Sequence, residues 1–197
     1  MSRLVLIAGV SGSGKTTLAR HLSERLDAAR LSIDDYYRGY HDWPLEQRRL
    51  LNFDSPEAIE HELLAEHLRN LLAGETIARP LYDHAAFVRH ECTVPIEPAE
   101  IIILEGLFSL AWPEIRDLAS LRVYVDTPET VCFRRRMERD LNEFHRTSED
   151  ALLRYHTHVR PNQERYVLPT RTHADLIVST GEDDDTALRQ VLDALRV

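Results

Sequence analysis

Gly9-Val10-Ser11-Gly12-Ser13-Gly14-Lys15-Thr16 is the stretch from which the rest of this chain can be laid out. It follows an apolar run, Arg3–Ala8, that reads as a buried strand, and it opens Thr16–Leu26, which reads as a helix. Strand, G-x-x-x-x-G-K-[ST] and helix in that order is the context in which such a loop cradles phosphates. Glycines let backbone N–H groups turn inward as an anion nest, and the helix N-terminus adds partial positive charge. Lys15 is the single lysine beside 23 arginines, so it stands where a compact ammonium is needed and a planar guanidinium does not serve. In this reading Gly9 through Thr17 surround a nucleoside triphosphate such as ATP, Lys15 reaches its outer phosphates, and the Thr16 hydroxyl ligates Mg²⁺.

The composition narrows the rest. The 197 residues are 43% hydrophobic and carry a formal net charge of −9, which argues against a general nucleic-acid binder or a protein held on anionic membranes. The longest aliphatic run, Ile101–Leu104, is far too short to span a bilayer, and the N-terminus runs straight into the glycine loop without a signal-peptide pattern. Cys92 and Cys132 form no CxxC pair, so neither a disulfide framework nor a zinc knuckle is expected. These features together predict a cytoplasmic protein.

Outward from the loop, Ala29–Ile33 reads as a second strand ending at Asp34-Asp35, with Asp35 taken as the solvent-facing neighbour. Ser55-Pro56 reads as the start of a helix carrying Ile59, Leu63, Leu64, Leu68, Leu71 and Leu72 until Gly74. Residues 76–98 form a small β excursion. Glu100–Leu104, Leu121–Val125 and Ala174–Val178 are further strands, and Thr127-Pro128-Glu129 caps a helix through the arginine cluster. Thr147–Glu164 and Asp184–Arg196 read as helices, the acidic run Glu182–Asp185 forming the first turn of the last one. Alternating strands and helices predict an α/β fold: a parallel sheet of P-loop NTPase type flanked by helices, in one domain over residues 1–197.

Open α/β sheets place ligands at the carboxyl ends of their strands, where Asp34 and Glu105 both fall. Either carboxylate is suited to holding Mg²⁺ or to accepting a proton from an attacking hydroxyl. The clustered Arg134, Arg135, Arg136 and Arg139 lie near Glu138, Asp140 and Glu143, the pattern of a salt-bridged solvated face.

Several further motifs resemble the uridine kinase/phosphoribulokinase family in order and spacing. They are Leu31-Ser32-Ile33-Asp34-Asp35-Tyr36-Tyr37, Asn52-Phe53-Asp54-Ser55-Pro56, Pro80-Leu81-Tyr82-Asp83, Leu104-Glu105-Gly106 and Arg135-Arg136-Met137-Glu138-Arg139-Asp140. The resemblance continues through Pro161 and Leu168-Pro169-Thr170 to Ala174–Val178, and is nearest to the uridine-cytidine kinases. It implies ATP and Mg²⁺ as donor and cofactor, a small-molecule nucleoside as acceptor, and a homo-oligomer. It further implies Asp34 as general base, Tyr37 lining the nucleoside pocket, Asp54 on the ribose hydroxyls and Tyr82 against the base. Arg136 and Arg139 become phosphate-facing arginines at the base of a helical lid over residues 140–165, Arg146 part of that lid, and Glu105 a metal-side acid beside Thr16.

Two positions depart from the family pattern. Phe144-His145-Arg146 stands where R-G-R is usual, which bears on turnover. Phe87 stands where a pyrimidine-reading histidine is usual, which bears on base choice. A phenylalanine there either lines the pocket, leaving base reading loose or to His84, Arg89 or His41, or sits in the core of the small lobe. The expected reaction is phosphorylation of a ribonucleoside 5′-hydroxyl, most simply uridine or cytidine. Alternatives are another small alcohol on the same scaffold (nicotinamide riboside, pantothenate or a sugar phosphate) or a nucleotide-binding module without catalysis.

Overall fold

The computed structural model describes residues 2–48, 51–142, 146–180 and 184–195. Strand β1 (Arg3–Gly9) runs into the glycine loop and helix α1 (Lys15–Leu26); β2 (Ala29–Ser32) follows. Helix α2 (His61–Leu72) leads to an antiparallel hairpin, β3 (Ile77–Asp83) and β4 (Val88–Ile96), which matches the predicted excursion. Strands β5 (Ile101–Glu105) and β6 (Ala119–Val125) precede α3 (Glu129–Asn142) and α4 (Ser148–Arg154). Strand β7 (Leu176–Val178) and α5 (Asp184–Leu195) end the described chain.

The main sheet is parallel in the order β2-β5-β1-β6-β7. Its register decides where chemistry can gather. Ser32 pairs with Glu105, Glu105 with Ile7, and Gly9 with Val125, so four strands end along one edge. Alternate residues fill two apolar layers, because side chains on a strand point to opposite faces. Leu4, Leu6, Leu31, Ile102 and Leu104 pack with Leu64 and Leu68 of α2 on one face. Val5, Ile7, Ile103 and Val123 pack with Leu18 and Leu22 of α1 and Val191 of α5 on the other. Burying a leucine or isoleucine in such a layer contributes about 1.5–3 kcal/mol.

The structure corrects several boundaries. β2 ends at Ser32, and Ile33–Tyr36 is a 3₁₀ turn capped by the Ser32 hydroxyl. The helix expected from Pro56 is split. Ser55 caps only the 3₁₀ turn Pro56–Ala58, and Ile59 is extended and bridges to Tyr37 before α2 begins at His61. The apolar period runs through this break because Ile59 and the α2 leucines face one core. Thr127 does not cap α3: Val131 and Cys132 donate to the Pro128 carbonyl, while the Thr127 side chain turns to the glycine loop. Residues 148–167 are helical, running three residues past the predicted Thr147–Glu164, with π-type turns at Tyr155–Val159 and Gln163–Val167. Of the acidic run, Glu182 and Asp183 lie outside the described residues. Cys92 is exposed and Cys132 buried, both as free thiols. Among the described residues no helix is long and apolar enough to cross a membrane.

Candidate active site

The loop between β1 and α1 is shaped by glycines with left-handed backbone, Gly12 at φ 83° and Gly14 at φ 92°. Gly12 also lies against the backbone carbonyl of Cys132 in α3, where a side chain would not fit. Lys15 is buried in this loop, its Nζ 3.5 Å from the Val10 carbonyl. Burial lowers the Lys15 pKa, and the nearby Glu105 and Asp34 carboxylates oppose that shift. A desolvated ammonium with fixed neighbours is suited to an anion it can approach closely. A depression of about 460 Å³ opens beside it, lined by Gly12, Gly14, Thr16, Thr17, Arg135 and Arg139 among others.

Thr16 donates to Glu105 Oε2 at 3.1 Å, joining the first turn of α1 to the end of β5. Burial raises the Glu105 pKa, against the pull of Lys15 and the Thr16 hydrogen bond. A hydroxyl and a buried carboxylate facing one another are hard oxygen donors of the kind Mg²⁺ accepts, with phosphates and water completing its shell. Among the described residues, no group of three or more His, Cys, Asp or Glu side chains gathers as a metal site.

Asp34 is exposed in the turn after β2, at the same sheet edge. Its charge is felt at Lys15 and Glu105 by the glycine loop and also at Tyr37 and Asp54, beside the aromatic cluster described below. Its neighbour Asp35 is not the solvent-facing one. Asp35 accepts from Arg79 of β3 at 2.9 Å and is largely enclosed, because the hairpin folds back over this turn. Burial raises the Asp35 pKa and Arg79 counters it.

The arginine helix is not a solvated face. Arg136 and Arg139 of α3 both donate to the Ser11 hydroxyl of the glycine loop, at 3.0 and 2.8 Å. Asp140 is buried beneath them, accepting from Arg136 Nε at 3.1 Å and from Arg146 at 2.9 Å. One carboxylate thus aligns two guanidiniums, and its motif position beside Arg139 was the signal for that role. Arg135, expected on the surface, reaches the Gly12 carbonyl at 3.4 Å. Phe144 and His145 lie outside the described residues.

Near Asp34, aromatic rings from the turn after β2, from residue 53 and from the hairpin gather in one cluster. Tyr37 is buried, donates to the Phe53 carbonyl at 3.0 Å, and meets the Phe53 and Tyr82 rings at 5.2 Å. Burial, Asp34 and Asp54 hold its phenol well above the ordinary range. The Tyr82 hydroxyl is buried and has no hydrogen-bond partner among the described residues, so a polar group of a ligand would satisfy it. Phe87 sits at the hairpin tip with φ 55°, half-buried and stacked on Phe53 at 5.3 Å. It therefore packs on the residue before Asp54, not in a closed lobe core. Burial raises the Asp54 pKa, and Arg136 opposes that. Asn52, which sequence reasoning passed over, accepts from the Asp54 N–H and from Asn162, tying this loop to the helical stretch above. Of the alternative base readers, Arg89 is engaged with Glu60 and the Tyr37 carbonyl, while His84 lies edge-on to Tyr82.

A glycine nest with a buried lysine, a hydroxyl–carboxylate pair at the strand ends and arginines from the following helix define a P-loop phosphotransferase. The chain belongs to the phosphoribulokinase/uridine kinase family, whose model matches residues 4–187. A uridine kinase from Clostridium botulinum strain Langeland is 38% identical over 188 residues, spanning 94% of this chain and 91% of that protein. A uridine kinase from Halobacterium salinarum is 39% identical over 177 residues, spanning 89% and 79%. Among solved structures, a Silicibacter protein described as a fructose transport system kinase superposes with a TM-score of 0.72 at 26% identity, covering 89% of each chain. The protein is accordingly a phosphotransferase with an alcohol acceptor.

Proposed function

We propose that this enzyme transfers the terminal phosphoryl group of ATP to the 5′-hydroxyl of a ribonucleoside, uridine or cytidine, giving ADP and the 5′-monophosphate. One observation carries the reading: the exposed Asp34 carboxylate is within electrostatic reach of both Lys15 in the phosphate nest and Asp54 beside the aromatic cluster. Asp34 takes the hydroxyl proton as the acceptor oxygen attacks. Lys15, Arg136 and Arg139 balance the charge on the phosphoryl group and on the departing diphosphate. Thr16 and Glu105 would hold Mg²⁺, which when bound neutralises phosphate charge; Asp34 stands close enough to Glu105 to support that site from the acceptor side. Tyr37, Tyr82 and Phe87 enclose the base, and Asp54 accepts from the ribose diol. Arg146 and the helical stretch beyond it cover the site as a lid.

The uridine kinases among its relatives support this acceptor class. Asp54 favours it over a sugar phosphate, since a carboxylate in the acceptor pocket repels a second phosphate. A coupled ADP-release assay over uridine, cytidine, inosine, nicotinamide riboside, pantothenate and ribulose 5-phosphate tests the proposal. Uridine or cytidine should lead, and 2′-deoxyuridine should be much poorer, because the diol reader is left unpaired. Asp34→Asn should lower kcat by about a hundredfold or more while the KM for ATP changes little. Equal efficiency on uridine and 2′-deoxyuridine would remove Asp54 from the site, and no nucleoside turnover would overturn the acceptor class.

A further inference from the structure

Behind the phosphate nest, two threonines from distant parts of the chain meet one carbonyl. Thr127, just past β6, donates to the Ser13 carbonyl at 2.9 Å. Thr180, just past β7, donates to the same oxygen. Their hydroxyls lie 3.0 Å apart, and both residues are buried, 6% and 1% exposed. Arg135 approaches from the same side, its Nη1 3.5 Å from Thr180 Oγ1 and 3.4 Å from the Gly12 carbonyl. Gly14 is pressed against Thr180 so closely that a side chain at position 14 would meet the Thr180 hydroxyl.

The donor count fits a purpose. Two hydroxyls carry two hydrogens, and a carbonyl oxygen has two lone pairs, so Ser13 can take both. The lone pairs left on Thr180 then face Arg135. A trans peptide is planar, with its carbonyl and the next N–H pointing in opposite directions. Pinning the Ser13 carbonyl backwards therefore aims the Gly14 N–H forwards, into the nest. Glycine at positive φ has no side chain to resist a flip of this peptide, so the loop's own sequence leaves its orientation loosely set.

We infer that Thr127 and Thr180 form a hydroxyl clamp that sets the Ser13–Gly14 peptide for phosphate binding. They are positioning residues: both hydroxyls donate to the Ser13 carbonyl, and each acts through the Gly14 N–H. The inference rests on nucleoside triphosphate binding at this loop and is independent of which alcohol is phosphorylated. It also gives β6 and β7 a task in donor binding that motif reading assigns only to β1 and β5.

Calorimetric titration of the full chain with ADP, together with KM values for ATP and for the nucleoside, tests it. Thr180→Val keeps the shape and removes the hydroxyl; Thr180→Ser keeps the hydroxyl and removes the methyl. Thr180→Val should weaken ADP binding and raise the KM for ATP about tenfold, the factor that about 1.4 kcal/mol represents. The nucleoside KM should stay within about twofold, and Thr180→Ser should bind ADP within about threefold of wild type. Thr127→Val, on a different element, should shift ADP affinity the same way, and it carries the test if Thr180→Val does not fold. Unchanged ADP affinity in both valine variants overturns the clamp, as does Thr180→Ser binding as weakly as Thr180→Val. A parallel rise in both KM values also overturns it, since that is the mark of general loosening. If wild type binds no ADP, the nucleotide reading falls and the clamp with it.

Discussion

Replacing Asp140 with alanine removes a carboxylate that holds two arginines of the site at once. It accepts from Arg136 Nε at 3.1 and 3.2 Å through its two oxygens, and from Arg146 Nη1 at 2.9 Å. The Asp140 side chain is 2% exposed, whereas those of Arg136 and Arg146 are 13% and 22% exposed. Breaking a fully buried pair from one side costs about 3–5 kcal/mol; with both guanidiniums keeping some access to water, about 2–3 kcal/mol is expected. For a chain of this length that is a fall in Tm of about 4–12 °C. In urea the midpoint should drop with an unchanged slope. Activity should suffer beyond stability, because the Nε contact orients the same guanidinium whose Nη1 reaches Ser11. Assayed well below the transition, kcat should fall about tenfold or more, the size of effect that misplacing a reacting group produces. Asp140→Asn, which keeps the shape and one acceptor oxygen, should lie between wild type and alanine in both measurements. An alanine variant with Tm within about 1 °C of wild type and kcat within about twofold would refute the coupling of burial to function argued for this residue.

Three other outcomes are expected. Lys15→Arg should abolish turnover and lower the unfolding midpoint modestly without unfolding the protein, since a wider planar cation does not fit the buried nest; near-normal rates in this variant would sink the phosphate assignment. Glu105→Gln should lose most activity yet raise the Tm of the nucleotide-free protein near pH 7, because burial raises the Glu105 pKa and makes its charge a net cost. That advantage should be full above the raised folded-state pKa and vanish as pH falls to the unfolded value near 4.5, where wild type is neutral too; a Tm gain that persists in acid would contradict it. Phe87→His, read with uridine, cytidine and inosine, should sharpen a loose wild-type preference toward pyrimidines by up to about a hundredfold, the span between apolar and hydrogen-bonded reading; sharp wild-type selectivity that does not move would place base recognition elsewhere.

What could be read from the sequence was local. The glycine loop states its own geometry, since Gly12 and Gly14 adopt backbone angles other residues resist. Ile101–Leu104 announces a strand buried on both faces, and the carboxylate ending it falls at the ligand edge because parallel strands share that edge. What escaped was set by partners far along the chain. Asp34 and Asp35 are indistinguishable by pattern, and only Arg79, from a strand 44 residues on, decides which one is enclosed. Ile59 fits the helical period, yet its bridge to Tyr37 draws it out of the helix. Thr180 looks like an ordinary residue at a strand end, and its meaning lies in a carbonyl 167 positions away. For the arginine cluster, charge pattern alone suggests a solvated face, which holds for Arg134; the inward turn of Arg136 and Arg139 is legible only through the family resemblance, because charge along one helix carries no information about what that helix packs against.

The hairpin β3–β4 has a bearing on how such an enzyme can change its clientele. It stands apart from the main sheet and sets Tyr82 and Phe87 against Tyr37 and Phe53, the aromatic cluster proposed to meet the acceptor, while the glycine loop follows β1. Two of its own arginines moor it, Arg79 to Asp35, and Arg89 to Glu60 and the Tyr37 carbonyl, while Arg48 from outside donates to the Ala86 carbonyl at its tip. A lineage can therefore redraw the hairpin tip, residue by residue, without disturbing the machinery that moves the phosphoryl group, provided these moorings stay. A designer seeking a new acceptor should begin in the same place, grafting tips between Tyr82 and Arg89 and leaving everything on the ATP side untouched.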